Sequence, residues 1–180
     1  MAASKSNALR IDSQSKPNNA EPIFATRIDI EEKDRKQVIA ILNASLADTF
    51  DMQSQTKFAH WNVKGNDFYQ LHLLFDKIAE DLEEAVDMIA ERITALGGRA
   101  AGTVRDSAAN SRIEEYPHDT VKGMDHVRNL SDRLGALGNH YRDAIDKTDD
   151  LNDSGTSDLF TELVRQADQD LYFLEAHIQA

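Results

Sequence analysis

The sequence contains no cysteine, which excludes disulfides, thiolate metal sites and cysteine nucleophiles. It also lacks any apolar run near the ~18 residues that a membrane-spanning helix needs. Residues 1–22 contain no apolar segment of the kind found in secretory signals. We therefore expect a cytoplasmic protein that has no membrane partner.

Basic residues are scarce relative to acidic ones. The chain has 20 Lys and Arg against 32 Asp and Glu, so its formal net charge is −12. Binding to phosphate backbones depends on Lys and Arg displacing counterions, so this balance disfavours non-specific nucleic-acid binding. It suits cations instead, although an acidic surface can also serve only to maintain solubility.

The pattern of the chain predicts a short tail followed by one helical domain. Residues 1–22 are rich in Ser, Asn, Ala and Pro, and we interpret them as a flexible tail. Over residues 23–180, apolar residues recur every three or four positions in four long segments, as in amphipathic helices. Leu-Gly-Gly at 96–98 should end the second helix with a left-handed cap. We expect a long connection with a short helix over 99–117, and an acidic loop over 146–158.

These elements predict an all-α fold, namely a four-helix bundle with a long crossover between helices 2 and 3. A chain of 180 residues is long enough to bury a substantial core as a single domain.

Two pairs of potential metal ligands lie on the second predicted helix. The stretch HWNVKGNDFYQLHLLFD, residues 60–76, ends with His72 and Asp76 one helical turn apart, and Asp87 and Glu91 repeat that spacing. Asp87 follows Asp76 by eleven positions, so both pairs share a face but lie roughly 16 Å apart along the axis. One helix therefore cannot gather both pairs around one small ion.

An antiparallel second copy of the helix could complete the site, because a two-fold interface places each pair opposite the other pair of the partner. His60, at the end of the first helix, could join His72. Imidazole and carboxylate ligands without sulfur suit iron, and also zinc or manganese. The alternatives are simple packing for the His-Trp pair and solvated helix positions for the carboxylates.

The first motif resembles a signature of the Dps family, the DNA-binding proteins from starved cells, which are miniferritins. It consists of His-Trp, a glycine, Leu-His and an acid, present as His60, Trp61, Gly65, Leu71, His72 and Asp76. A second family signature is matched by VDMIAERITALGGRA through Asp87, Ile89, Ala90, Glu91, Arg92, Leu96 and Gly97. The resemblance covers roughly residues 31–178.

The resemblance implies that the bundle is a ferritin-like four-helix bundle. It also implies a hollow homododecamer in which ferroxidase centres lie at two-fold dimer interfaces. By motif match, each centre takes ligands from one subunit and its partner: His60, His72 and Asp76 from the first, Asp87 and Glu91 from the second. Two Fe(II) ions would be oxidised there, typically by hydrogen peroxide or else by oxygen, and stored as ferric mineral. Zinc would compete for the site. Trp61 would lie beside it and quench leftover oxidising equivalents, with packing as its alternative role.

Family members also have acidic pores near the start of the last helix. Asp149, Asp150, Asp153 and Asp158 lie in the matching region, where copies around a three-fold axis would attract cations. The alternative is a solvated turn in which Asp158 caps the final helix.

The tail departs from the family members that bind DNA, because its Lys5, Arg10 and Lys16 are offset by Asp12 and Glu21. We expect weak or absent DNA binding. Besides an iron-oxidising storage enzyme, two functions remain open: an architectural protein associated with the nucleoid, and a shell that holds zinc or manganese without turnover. Four histidines have no predicted role: His118, His126, His140 and His177.

Overall fold

The computed structural model describes residues 23–179, and the regular structure in that part of the chain is helical. The predicted tail, residues 1–22, lies outside the described residues, as does Ala180. The helices are α1 (Glu32–Asn62), α2 (Phe68–Ala95), α3 (Val104–Asn110), α4 (Gly123–Asp150) and α5 (Ser154–Glu175). Four long helices, with the short α3 in the crossover, confirm the predicted all-α class and bundle.

The bundle consists of two helical hairpins. Helix α1 packs along α2, and α4 packs along α5, since each pair is joined by a short turn. Residues 96–122 connect the hairpins and pack α3 against α1. The core lies between the long helices, and its fully buried members include Leu42, Leu46, Phe75, Ile78, Ile89, Leu130, Leu137 and Phe160.

Glycine ends α2 in the predicted way. Gly97 has a φ of 85°, in the left-handed region, and the N–H of Gly98 donates to the carbonyl of Ile93 at 2.9 Å. A Cβ atom at Gly97 would lie 2.4 Å from the carbonyl oxygen of Phe24, so a side chain is excluded sterically as well. The N–H of Phe24 donates to the carbonyl of Gly97, which docks the segment before α1 onto this cap.

A buried carboxylate fixes the crossover and α4 to α1. Asp48 is fully buried and accepts hydrogen bonds from the backbone N–H of Arg112 at 2.7 Å and from its guanidinium at 2.6 and 3.0 Å. Nδ1 of His140, on α4, lies 2.9 Å from the same carboxylate. A buried charge is tolerated only when it is paired and hydrogen-bonded, so Asp48 specifies where both segments dock.

The predicted acidic loop over 146–158 is wrong, because α4 and α5 cover all of it except residues 151–153. Thr148 is fully buried and bonds back to α4, so the last turn of that helix still faces the core. The next helix begins at once because the carboxylate of Asp153 accepts from the N–H of Thr156 at 3.0 Å and caps it. Apart from Asp153, the acidic residues of this stretch lie on the exposed faces of two helix ends.

A second buried carboxylate lies between α2 and α5. Asp170 is 3% exposed, and the Gln166 amide donates to it at 3.3 Å and to Asp81 at 3.2 Å. Burial raises the pKa of Asp170 to about 6, and the nearby Asp81 acts in the same direction. Lys77 forms an ion pair with Asp81 and offsets part of this effect.

We predict that Asp170→Asn stabilises the protein in a pH-dependent way. The folded-state pKa lies above the ordinary value, so stability is greatest when Asp170 is protonated and declines as pH rises through about 6. The amide avoids this loss and should raise the free energy of unfolding by about 1–3 kcal/mol at pH 7.5. Thermal melting should show a smaller gain at pH 5, where the wild-type carboxyl is largely protonated.

Asp168→Asn is the matched control, because Asp168 lies on the same helix but is exposed and paired with Arg142. Asp168→Asn should change the free energy of unfolding by less than about 1 kcal/mol, and this change should not depend on pH. Equal gains for Asp170→Asn at both pH values would contradict the assigned ionisation.

Candidate metal centre

The turn between α1 and α2 brings two histidines together. Gly65 adopts a φ of 122°, which lets the chain reverse within five residues. Lys64, beside it, exchanges backbone hydrogen bonds with Val121 and Gly123, and these bonds tie the turn to the start of α4. His60 in the last turn of α1 therefore faces His72 in the second turn of α2.

The two imidazoles hold each other in place reciprocally. Their rings stack with centroids 3.8 Å apart. Nδ1 of His60 lies 2.8 Å from the carbonyl oxygen of His72, and Nδ1 of His72 lies 2.9 Å from that of His60. A carbonyl oxygen can only accept, so each Nδ1 donates, and each neutral ring keeps a lone pair on Nε2. This is the tautomer that a metal-binding histidine requires.

Asp76 adds a carboxylate beside the histidines. Its Oδ1 lies 3.7 Å from Nδ1 of His60 and accepts a hydrogen bond from Nζ of Lys57 at 2.6 Å. That hydrogen bond lowers the pKa of Asp76, so the carboxylate is ionised at neutral pH. Sequence reasoning missed Lys57, although a lysine three positions before His60 on a helix lies on the same face.

One subunit does not bring Asp87 and Glu91 to the histidines. Both are exposed on α2, and an unbroken helix keeps Asp87 roughly 16 Å along the axis from Asp76. Within residues 23–179, no three or more His, Cys, Asp or Glu side chains are arranged to hold a metal ion. The chain thus supplies two imidazoles and a neighbouring carboxylate near the start of α2, and two separate carboxylates further along the same helix.

Exposed apolar side chains lie close to the two histidines along the chain. Trp61, in the last turn of α1, is 65% exposed and so does not pack into the core of its own subunit. The ring of Phe68 lies 5.2 Å from that of His72. Exposed apolar clusters mark interaction surfaces. We call this cluster the aromatic surface; its exposed members are Trp61, Phe68, Tyr69 and Leu73.

The four aspartates predicted near a pore differ in exposure. Asp149, Asp150 and Asp158 are exposed, whereas Asp153 is 2% exposed. Asp153 pairs with Nη2 of Arg92 at 2.6 Å, which connects the end of α2 to the start of α5. Asp153, and not Asp158, therefore caps the final helix.

The histidines without a predicted role divide into two groups. His126 is buried and bonded to the hydroxyl of Tyr116, and His140 belongs to the Asp48 cluster. His118 and His177 are exposed. None of the helices in the described region has the length and apolar character to cross a bilayer.

The bundle with its imidazole and carboxylate side chains defines a protein of the ferritin-like class, and the ferritin-like domain model matches residues 39–180. The DNA protection during starvation protein of Agrobacterium fabrum is 41% identical to the chain, over 86% of the chain and 95% of that protein. The chain therefore belongs to the Dps family within the ferritin-like class.

Solved structures agree with this assignment. DpsC from Streptomyces coelicolor superposes with a TM-score of 0.84 at 30% identity, covering 88% of the chain and 92% of that structure. The Dps protein of Vibrio cholerae superposes with a TM-score of 0.81 at 26% identity. That structure is described as a member of a broad superfamily of ferritin-like diiron-carboxylate proteins. That match covers 89% of the chain and all of the Vibrio structure.

We predict that Lys57→Met tightens divalent metal binding. The Lys57 ammonium occupies Oδ1 of Asp76, so an incoming cation must displace it. Removing it should lower the dissociation constant for Co(II), a redox-stable substitute for Fe(II), by roughly three- to tenfold, as expected for a partly exposed ion pair.

Lys64→Met is the matched control, because it removes the same charge from the neighbouring turn without touching Asp76. Spectroscopic Co(II) titration should leave that variant close to wild type. Weaker binding by Lys57→Met would show that the lysine orients Asp76 more than it competes with metal.

Proposed function

We propose that the protein is a ferroxidase and iron-storage subunit that oxidises Fe(II) at sites shared by two subunits. The observation that carries the proposal is the reciprocal His60–His72 pair, with both Nδ1 atoms donating to carbonyl groups and both Nε2 atoms available. The ionised Asp76 beside the pair supplies a hard oxygen donor.

The chemistry of these donors favours iron oxidation. Carboxylates stabilise Fe(III) relative to Fe(II), because the higher charge gains more from a negative oxygen ligand. Two ferrous ions held at one site would reduce one hydrogen peroxide, or oxygen in its place, without releasing a radical. The description of the Vibrio relative as a diiron-carboxylate protein supports this choice of metal. Zinc binds the same donors but cannot change redox state, so we expect it to inhibit iron oxidation.

A second copy of the chain would complete the site. The partner subunit's Asp87 and the partner subunit's Glu91 would face His60, His72 and Asp76 across a two-fold axis, giving two sites in each dimer. The aromatic surface lies next to the histidines and supports subunit contact there. Trp61, exposed beside the site, would quench oxidising equivalents that escape it.

We further propose that six such dimers form a hollow shell that stores the ferric product and so protects against oxidative damage. Asp149, Asp150 and Asp158 are exposed near the α4–α5 corner and would draw cations towards entry pores. Asp153 would hold that corner in place through Arg92 and would not line the pore itself.

The shared site predicts that two inactive variants restore activity when their subunits mix. His72→Ala and Asp87→Ala should each reduce peroxide-dependent Fe(II) oxidation to the protein-free rate. In mixed dimers, the intact His72 of one chain meets the intact Asp87 of the other at one of the two sites. Random pairing of equal amounts therefore restores about a quarter of the sites.

The measurement is ferric absorbance after hydrogen peroxide is added to anaerobically loaded protein, with native mass spectrometry to verify that subunits have mixed. A blend of separately assembled variants is the control and should stay inactive. Mixed shells without recovered activity would show that the ligands of a site come from one chain.

We also predict that the protein leaves plasmid DNA unshifted in a gel at ~150 mM salt and nanomolar concentration. The physical reason is the net charge of −12, which the few basic residues of the tail do not offset. At low salt, many tails on one shell could still bridge DNA. A variant without residues 1–22 should lose that low-salt shift, whereas a shift at physiological salt would contradict the prediction.

A further inference from the structure

Tyr116 and His126 form a buried pair that the proposed ligand set does not use. The hydroxyl of Tyr116, in the crossover, lies 2.7 Å from Nδ1 of His126 on α4. The two rings are nearly parallel, at 19°, with centroids 5.9 Å apart. Tyr116 is 5% exposed and His126 is fully buried, so solvent does not compete for this hydrogen bond.

The surroundings make the phenol a proton donor and the imidazole an acceptor. Burial raises the pKa of Tyr116, so the phenol is protonated at neutral pH. Burial lowers the pKa of His126, so the imidazole is neutral and can take up a proton. The phenol oxygen lies 2.7 Å from Nδ1 of His126, so a neutral imidazole with its lone pair on Nδ1 accepts the phenolic hydrogen.

Aromatic rings connect the pair with the helices that carry the candidate ligands. The ring of Phe75 lies 6.2 Å from that of His126, and Phe75 immediately precedes Asp76 on α2. On the other side, Phe58 meets Tyr116 edge-on at 5.4 Å, two positions before His60 on α1. A single aromatic ring, Phe75 on α2 or Phe58 on α1, therefore connects the pair with each of these helices.

We propose that Tyr116 and His126 are a redox-active pair that supplies one electron when hydrogen peroxide meets a single ferrous ion. The inference rests on the proposed ferroxidase function. One ferrous ion reduces peroxide by one electron, giving a ferric ion, hydroxide and an oxidant equivalent to a hydroxyl radical. Tyr116 reduces that oxidant to hydroxide by giving one electron, while its phenolic proton moves to His126.

The products are a neutral tyrosyl radical and a protonated His126. A second ferrous ion then gives an electron to the radical and becomes ferric, and the proton returns from His126 to the phenol oxygen. The sum is two ferrous ions oxidised per peroxide, with two hydroxides formed and the pair restored. The pair therefore keeps the reaction free of diffusing radicals even when two ferrous ions arrive one after the other.

Two further contacts favour a coupled and reversible step. The guanidinium of Arg133 lies 5.3 Å from the centre of the Tyr116 ring and disfavours positive charge on it, so loss of the electron requires loss of the proton. Nε2 of His126 is buried without a hydrogen-bond partner, so the imidazolium is poorly stabilised and returns its proton readily.

Tyr141 provides a matched comparison inside the same subunit. It is as deeply buried as Tyr116, but its hydroxyl bonds to that of Thr49 at 2.6 Å. A threonine hydroxyl is not a base at neutral pH, so the hydrogen-bond partner of Tyr141 cannot accept its proton. Tyr116 is distinguished by its partner and not by burial alone.

The test uses the assembled protein loaded anaerobically with a single ferrous ion per subunit and frozen shortly after hydrogen peroxide is added. Electron paramagnetic resonance should detect a tyrosyl radical, and ring-deuterated tyrosine should narrow its signal and distinguish it from a Trp61 radical. Tyr116→Phe should lose most of the signal, whereas Tyr141→Phe should keep it. His126→Gln retains the phenol but removes the base, and should also lose the signal.

Ferric absorbance in the same samples distinguishes failure of the redox-active pair from failure of the proposed ferroxidase function. Iron oxidation without a tyrosyl signal, or with a signal that survives Tyr116→Phe, overturns the pair and leaves the ferroxidase function standing. If iron is not oxidised faster than in buffer, the ferroxidase proposal fails. A photochemical one-electron oxidant, a ruthenium bipyridine complex with persulfate, then tests the pair alone: a radical dependent on Tyr116 and His126 supports it, and any other result overturns it.

Discussion

The buried carboxylate of Asp48 is the constraint on which the arrangement of the chain depends. A buried carboxylate must be hydrogen-bonded, and its partners come from the crossover and from α4. The crossover docked in this way leads into α4, whose start lies beside the turn at Lys64. That contact holds the α1–α2 turn, and the turn sets the distance between His60 and His72.

The histidine pair shows how little a single chain has to provide for metal chemistry. Each imidazole is oriented by the backbone of the other, so no separate side chain is needed to fix either tautomer. Under the proposed function, the arrangement would be complete before metal arrives, which would limit the entropy lost on binding. In the proposed dimer, the carboxylates at Asp87 and Glu91 would remain exposed on the helix until subunits pair, since exposed carboxylates are well solvated.

The sequence predicted the helices because their apolar periodicity is strong, and it predicted the adjacency of His60 and His72 because Gly65 marks the turn between them. It failed over 146–158, where acidic composition was interpreted as a loop although Thr148 continues the buried face of α4. It also missed Lys57 and the Tyr116–His126 bond, since these depend on which side chains meet between helices. Where Asp87 and Glu91 lie relative to the histidines depends on a second chain, so that part of the site stays a prediction.

The hydrogen bond between Lys57 and Asp76 means that the candidate metal site already contains a tethered monovalent cation. Sodium and potassium ions carry no more charge than the ammonium group and lack its covalent attachment, so they exchange with it poorly. A divalent ion gains about twice the Coulomb attraction from the same carboxylate. Entry to the candidate site would therefore select by valence before the imidazoles select by ligand preference.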